Sequence, residues 1–216
     1  MDVRTTKAFD CFLAGLEPPA RERAAAELAA QAAALRELPP GPARAAELHR
    51  RVDEAQARFA AMRPDVAARV RCARGCSHCC RMWVGVTREE AELLALRVRE
   101  GKARPDAARL RAQAAWTTPA EFVGRPLEEA SCVFLGPDGA CAVHADRPAI
   151  CRAVLVTSDP GLCRDADGAS RVTAVLNPYV EVLVSALLTV DADGAPAPPQ
   201  GRHLAHELAR ILEGRP

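Results

Sequence analysis

The chain has few aromatic residues. Phe, Trp and Tyr make up 4% of its 216 residues, whereas 49% are hydrophobic and alanine supplies many of these. Small side chains let helices pack closely, while strands are enriched in β-branched and aromatic residues. The composition therefore favours a mainly α fold.

An excess of charge of either sign is also missing. The 29 Lys and Arg residues are balanced by 28 Asp and Glu, for a formal net charge of +1. The arginines alternate with acidic residues along helical stretches, a pattern typical of solvated helix faces. The sequence thus predicts no nucleic-acid partner.

The pattern of a signal peptide or a membrane span is lacking as well. The apolar patch from Phe9 to Leu16 is short for a signal peptide and follows an acidic start. The longest apolar stretch, residues 172–190, contains Asn177, Pro178 and Glu181, and polar groups are costly in hydrocarbon. We interpret that stretch as a buried core helix. We therefore expect a cytoplasmic protein without a membrane partner, in which thiols remain reduced.

Helical periodicity dominates both ends of the chain. Residues 20–38 form an alanine-rich pattern that the Pro-Pro-Gly-Pro run at 39–42 ends. Apolar residues from Leu48 to Met62 recur at steps of three and four, and Pro64 ends or kinks this second helix. A helix is predicted from residue 170 to 190, with Pro178 either kinking it or following Asn177 as a cap.

These patterns predict three segments. Residues 1–69 form an N-terminal helical hairpin, residues 70–165 a cysteine-cluster metal-binding domain, and residues 166–216 C-terminal helices that pack on it. In the middle segment, Thr87 and Glu90 fit a capping box, and Gly101 stops the helix that follows.

A β-hairpin is predicted at residues 132–143, around a Gly-Pro-Asp-Gly turn. If Gly136 to Gly139 form a four-residue loop, Leu135 pairs with Ala140, and Cys132 shares a face with Cys141. The fold class is therefore mainly α: a helical domain with a small β-hairpin and a cysteine-rich metal-binding centre.

Cysteine is abundant, with nine residues. Cys11 stands alone, and the other eight lie between positions 72 and 163: Cys72, Cys76, Cys79, Cys80, Cys132, Cys141, Cys151 and Cys163. An odd, clustered set in a reducing compartment favours metal ligation over a disulfide framework. The two-residue spacing of Cys76 and Cys79 brings both sulfurs to one metal through a tight turn, for which Gly75 supplies the backbone freedom.

The run Gly75-Cys76-Ser77-His78-Cys79-Cys80, then Cys132 to Cys141, then Arg147-Pro148 to Cys151-Arg152, resembles the YkgJ family of cysteine-cluster proteins. The resemblance covers about residues 70–165. It implies a CxxCxxCC-type zinc- or iron-chelating domain of a bacterial type, with the eight central cysteines as metal ligands. Related domains occur in flagellin lysine methylases, which implies an iron–sulfur cluster as one form of the centre. Three residues separate Cys72 from Cys76, where many members have two.

Three functions remain open. The first is an iron–sulfur protein, with the 4Fe-4S form favoured, that is redox-active or accessory to a modification reaction. The second is a structural zinc module in a scaffold or binding protein, and the third is a protein that handles a soft metal. Seven or eight clustered thiols exceed the four that one structural zinc needs, which favours a cluster or two sites. The sequence identifies no protein partner and defines no enzymatic reaction.

Several residues receive a purely structural interpretation. Cys11 is expected in the core, and His49, His203 and His206 on the surface. The polar stripe from Thr173 to Thr189 is expected to be the wet edge of its helix, with Asn177 or Glu181 facing the site as the alternative.

Overall fold

The computed structural model describes residues 5–73, 75–122, 124–164, 171–194 and 201–215. Its α-helices are, in chain order, α1 (Lys7–Ala14), α2 (Pro18–Arg36), α3 (Pro42–Met62), α4 (Pro64–Ala67), α5 (Arg88–Arg99), α6 (Ala107–Gln113), α7 (Pro119–Phe122), α8 (Leu127–Ala130), α9 (Ala149–Ala153), α10 (Pro178–Gly194) and α11 (Leu204–Leu212). Short 3-10 helices span His78–Arg81, His144–Asp146 and Pro160–Arg164. The prediction of a mainly α fold is confirmed. The division of the chain at residues 69 and 165 remains a prediction.

The strands β1 (Gly85–Val86) and β2 (Arg202–His203) form a small antiparallel pair with Gly85 opposite His203. Gly201 has φ +77°, and a Cβ there would lie 3.0 Å from the backbone nitrogen of Val86. A side chain at this position would therefore push the two strands apart.

Helix α10 lies at the centre of the first of three core clusters. This cluster joins Leu35 of α2, Leu48 and Val52 of α3, and Leu187 of α10. Proline residues begin α2, α3 and α10, where their missing N–H groups need no partner. The predicted helices at 20–38 and 48–62 are confirmed within a few residues.

Of the two alternatives for the C-terminal helix, a start at residue 170 with a kink at Pro178 is wrong, and a start at Pro178 with Asn177 as the cap is confirmed. Helix α10 begins at Pro178, and the side chain of Asn177 caps it by accepting a hydrogen bond from the Tyr179 N–H at 3.1 Å. Residues 173–175 run alongside residues 155–157, with an antiparallel bridge between Val156 and Ala174. Residues 165–170 lie outside the described part of the chain.

The polar stripe is exposed at Thr173, half-buried at Glu181 and buried at its other members, so its interpretation as a wet edge is wrong for Asn177, Ser185 and Thr189. Ser185 and Thr189 are fully buried, and Asn177 is almost so. Their hydroxyl and amide groups find partners inside the protein. The Thr189 hydroxyl donates to the Ser185 carbonyl at 2.9 Å, and the Asn177 amide donates to the Ala55 carbonyl at 3.2 Å.

Helix α5 begins with the predicted capping box. The Thr87 side chain accepts from the Glu90 N–H, and the Glu90 carboxylate accepts from the Thr87 N–H at 3.0 Å. Its C-terminus is followed by Gly101 at φ +70°, as predicted for a helix stop. Helix α11 packs against α5 and α6, and a second core cluster there includes Leu94, Phe134 and Leu208.

The predicted hairpin at 132–143 is reduced to one antiparallel bridge with a different register. Leu135 pairs with Cys141 and not with Ala140. The loop holds five residues, because the Gly136 N–H donates to the Ala140 carbonyl at 2.8 Å. Gly139 adopts φ +76° inside this loop, a conformation that favours glycine.

Three predictions about lone residues are wrong. His49 is buried and lies 3.0 Å from the Glu90 carboxylate, and His203 is buried with its ring centroid 4.4 Å from that of Trp83. Cys11 is exposed, since α1 turns Phe9 and not Cys11 into the core. These corrections share a cause: a short helical pattern does not specify which neighbouring elements cover it.

Within the described residues, no helix combines the length and apolar character needed to cross a membrane.

Candidate metal centre

Three segments that are distant in sequence converge on one cavity of about 280 Å³. Six cysteines line it: Cys76, Cys79, Cys80, Cys132, Cys141 and Cys151. Phe134, Val143 and Leu204 supply apolar wall, and Arg147 lines the cavity as a cation. The cavity is therefore rich in thiols, largely apolar, and provided with a positive charge.

The first segment turns sharply before its paired cysteines. Gly75 has φ +87°, as its predicted role in the turn requires, and the Cys76 N–H donates to the Ala73 carbonyl at 3.0 Å. The 3-10 helix His78–Arg81 then carries Cys79 and Cys80. Its tight helical turn places both residues against the cavity.

The second segment is fastened directly to the first. The Cys132 N–H donates to the Cys80 carbonyl at 2.7 Å, and the Leu135 N–H donates back to the Cys132 carbonyl at 3.0 Å. This turn, and not a shared strand face, brings Cys132 and Cys141 to the same cavity. Arg109 supports it by donating to the carbonyls of Cys132 at 2.6 Å and Leu135 at 2.8 Å.

The third segment is helix α9, which carries Cys151. Its first N–H, from Ala149, donates to the Glu90 carboxylate at 2.7 Å. Arg152 is buried, pairs with Asp53, and donates to the Arg147 carbonyl at 2.8 Å. Arg152 therefore holds the backbone, whereas Arg147 is the arginine of this motif that lines the cavity.

Two of the predicted ligands do not line the cavity. The Cys72 sulfur accepts a hydrogen bond from the Val156 N–H at 3.3 Å. Cys163 lies on the 3-10 helix Pro160–Arg164, which packs against the 3-10 helix that bears Cys79 and Cys80. Cys163 therefore lies close to the first cysteine segment, and neither thiol is part of the cavity wall.

The adjacent thiols of Cys79 and Cys80 interact with each other. A hydrogen bond from Cys80 lowers the pKa of Cys79 to about 6, although burial opposes this, and the same bond raises the pKa of Cys80 well above its usual value. Cys79 is thus favoured as a thiolate near neutral pH, in a half-buried position. A thiolate is the form that attacks or binds metals.

The deeper thiols are held in the neutral form. Burial raises the pKa of Cys132 to about 11, and burial also raises the pKa of Cys151 and that of Cys141. A metal ion displaces such protons, because cysteine ligates as the thiolate. Binding at this cavity therefore releases protons.

The surroundings of Arg147 indicate whether the cavity suits an anionic centre made of metal-bound thiolates. The Nε of Arg147 is buried and has no hydrogen-bond partner within the described part of the chain. The positive charge of Arg147 also acts to lower the pKa of Cys79 and that of Cys141. A buried guanidinium donor normally has an acceptor. Metal-bound thiolates would supply both the acceptor and the compensating charge, so the residues fit the group.

The side chains are not pre-arranged around a single ion. Among the described residues, no group of three or more His, Cys, Asp or Glu side chains is placed to hold a metal ion. Four thiolates on one zinc lie about 3.8 Å apart, given a Zn–S distance of about 2.3 Å, so binding of such an ion would require cysteine side chains to turn toward it.

Two features of the site were missed by sequence reasoning. Arg109 and Glu90 position the cysteine segments, yet the sequence assigned Arg109 no role and predicted Glu90 only as part of a capping box. A second cavity of about 600 Å³ adjoins the first and shares Trp83, Ile150 and Val154 with it. Glu181 lines this second cavity and not the cysteine cavity. In the second cavity its carboxylate accepts a hydrogen bond from the Thr6 hydroxyl at 2.6 Å.

The cysteine segments match a known domain family. Residues 71–168 match the family CxxCxxCC, described as a putative zinc- or iron-chelating domain. This match covers fewer than half of the residues, and it supports the cysteine-cluster domain predicted from the motif. The match contains all eight central cysteines and supports metal binding by the domain. Comparison with curated proteins and with solved structures gave no match.

Proposed function

We propose that the protein binds an iron–sulfur cluster through the cysteines that line the central cavity. The observation that carries the proposal is the convergence of six thiols on one apolar cavity beside the unpartnered Nε of Arg147. Cysteine thiolates are the usual ligands of such clusters, and nearby hydrogen bonds and charges adjust their potentials.

The number of thiols favours a cluster over a single zinc ion. Six thiols line one cavity of about 280 Å³, whereas one structural zinc needs four. Cysteine thiolates are also the ligands that hold iron–sulfur clusters, so a cluster suits this lining. Zinc is the second candidate, because the family description names zinc and iron equally.

When bound, an iron–sulfur cluster supplies one-electron transfer. The protein residues then have separate tasks: Arg147 offsets thiolate charge, Arg109 and Glu90 hold the ligand segments, and Leu204 and Phe134 limit access of water. We propose a redox role, or a role accessory to a modification reaction, in a cytoplasmic setting where thiols stay reduced.

The test is an anaerobic purification followed by spectroscopy and by iron, sulfide and zinc analysis on one sample. Brown protein with broad absorption near about 400 nm is expected, and air or a reductant should bleach it. A Cys132→Ser/Cys141→Ser variant should lose this absorption, whereas the exposed-cysteine control Cys11→Ser should keep it. Colourless protein with stoichiometric zinc would contradict the iron–sulfur cluster and favour a structural zinc site.

A further inference from the structure

The second cavity, of about 600 Å³, has no cysteine in its wall and takes no part in the proposed metal binding. Cavities that hold small molecules commonly span about 300–1,000 Å³, so this one has room for such a ligand. Most of its wall is apolar, built from α9, α10 and the chain between them: Ile150, Ala153, Val154, Leu176, Val184 and Leu187. An apolar part of a ligand would therefore be well accommodated.

The cavity is open to solvent on an apolar side. Val154 and Leu176 line it, and each is 41% exposed. Exposed side chains that also line a cavity lie at its opening. A ligand that enters there would cover apolar surface that is otherwise in contact with water, which favours binding.

The charged groups of the cavity favour a cation. Among the described residues that line it, three carboxylates, of Asp10, Glu90 and Glu181, accompany one ammonium group, that of Lys7. Glu90 is already engaged by two backbone N–H groups and lies 3.0 Å from the His49 ring. Asp10 and Lys7 are exposed. Glu181 is therefore the carboxylate placed to meet a ligand inside the cavity.

Glu181 is half-buried in the first turn of α10 and is held in place by Thr6. Its carboxylate accepts from the Thr6 hydroxyl at 2.6 Å, and that hydroxyl accepts from the Phe9 N–H at 3.0 Å. A carboxylate can accept about four hydrogen bonds, so capacity remains beyond the one from Thr6. Burial raises the pKa of Glu181, although the hydrogen bond from Thr6 opposes this. A cationic partner would offset the cost of burying the charge.

We propose that the second cavity binds a hydrophobic amine, whose protonated amino group pairs with the Glu181 carboxylate while its apolar part contacts the apolar wall. The inference goes beyond the proposed function, because it concerns a different cavity and holds whether the cysteines bind iron or zinc. Trp83, Ile150 and Val154 belong to the walls of both cavities. A bound amine would therefore lie beside the metal-binding cavity.

Calorimetric titration of the full-length, anaerobically purified chain with n-octylamine tests the inference. Octylamine should bind at least about tenfold more tightly than octanol, because its ammonium group adds a hydrogen bond to a charged acceptor. From butylamine to octylamine the affinity should rise about fourfold per methylene, because each methylene leaves water for the apolar wall. Octanoate, which carries the same charge as Glu181, should bind more weakly than octanol. Tighter binding of octanoate than of octylamine would overturn the assignment.

Two variants locate the site. Glu181→Gln keeps an acceptor for the Thr6 hydroxyl but removes the negative charge, so the preference for octylamine over octanol should disappear. The matched control Asp193→Asn removes an exposed carboxylate at the other end of α10, outside the cavity, and should keep the preference. Ala174 is exposed and lines the cavity, so Ala174→Phe narrows it and should weaken octylamine and octanol alike.

Metal analysis on the same samples separates this inference from the proposed function. Wild type and Glu181→Gln should have equal iron and zinc contents, so that a loss of amine affinity reports the second cavity and not the metal centre. If Glu181→Gln fails to fold, as judged by circular dichroism, the ligand series on wild type and Ala174→Phe still decide the matter. Equal affinities of wild type for octylamine and octanol, an unchanged preference in Glu181→Gln, or an equal loss in Asp193→Asn would overturn the amine site.

Discussion

Glu90 accepts a hydrogen bond at 2.7 Å from the backbone N–H of Ala149, although 59 residues separate them. The same carboxylate caps its own helix through Thr87 and lies 3.0 Å from the His49 ring. Burial alone would raise the pKa of Glu90, but these hydrogen bonds outweigh it and lower the pKa. A buried carboxylate therefore connects α3, α5 and the helix that carries Cys151.

Replacing Glu90 should destabilise the protein strongly. Glu90→Ala leaves His49 and two backbone N–H groups buried without partners, so the free energy of unfolding should fall by about 3–5 kcal/mol. The matched control is Glu92→Ala on the same helix, where an exposed pair with Arg88 is lost and the change should stay below about 0.5 kcal/mol. Urea unfolding followed by circular dichroism measures both, and equal losses would argue against a special role for Glu90.

Arg109 should control how tightly the second cysteine segment is held. Arg109→Met removes two hydrogen bonds to the carbonyls of Cys132 and Leu135. Loss of a residue that supports metal ligands commonly costs tenfold or more in metal affinity, so release to a chelator should become about tenfold faster. Arg109→Lys should be impaired too, because an ammonium lacks the two-pronged geometry. Arg111→Met, an exposed arginine on the same helix, should behave as wild type, and an equal effect there would contradict the assignment.

His203 should make stability depend on pH in a defined window. Burial lowers the pKa of His203 to about 4, from an ordinary value of 6.5, although a hydrogen bond with the Gln113 backbone opposes the shift. Between these two values the unfolded chain binds a proton that the folded chain does not. The free energy of unfolding is therefore not reduced by His203 above pH 6.5. As pH falls from 6.5, protonation of His203 in the unfolded chain lowers it, by up to about 3 kcal/mol near pH 4.

The His203→Gln variant isolates this contribution. Wild type and variant share the acid sensitivity of metal–thiolate bonds, so the difference between their unfolding free energies reports His203. That difference should change by about 1.4 kcal/mol per pH unit within the window and be constant above pH 7. Parallel curves from pH 4 to pH 8 would show that His203 is not held neutral by the fold.

Cys11 should be the fast-reacting thiol of the metal-loaded protein. It is exposed on α1, whereas the eight central cysteines are partly buried and are engaged by metal in the proposed function. A thiol reagent such as iodoacetamide should therefore modify Cys11 first, and Cys11→Ser should abolish the fast phase without altering metal content. Mass spectrometry locates the label, and early modification of Cys132 or Cys151 would contradict metal ligation there.

Features set by neighbouring residues were accessible from the sequence. The capping box of Thr87 and Glu90, the turn at Gly75 and the ends of α2 and α3 depend on interactions within one or two helical turns. The family resemblance came from a combined motif: the run from Gly75 to Cys80, then Cys132 to Cys141, then Arg147 to Arg152. Such residue types and spacings are visible in the sequence without the tertiary structure. The assignment of the eight cysteines as ligands is still a prediction, which the metal analyses above address.

The tertiary structure decided which faces meet. Sequence could not show that Ser185 and Thr189 are covered, that Cys11 is left outside, or that Cys132 is joined to Cys80. The predicted pairing of Leu135 failed because one extra loop residue shifts a strand register, and loop length depends on contacts beyond the turn. The spacing of residues along the chain was thus sufficient to predict the cysteine motif and its local turns. Long-range packing brought the thiols of this motif together. Helices with similar sequence patterns pack against different neighbours, depending on the shape and polarity of surfaces that lie far apart in the chain.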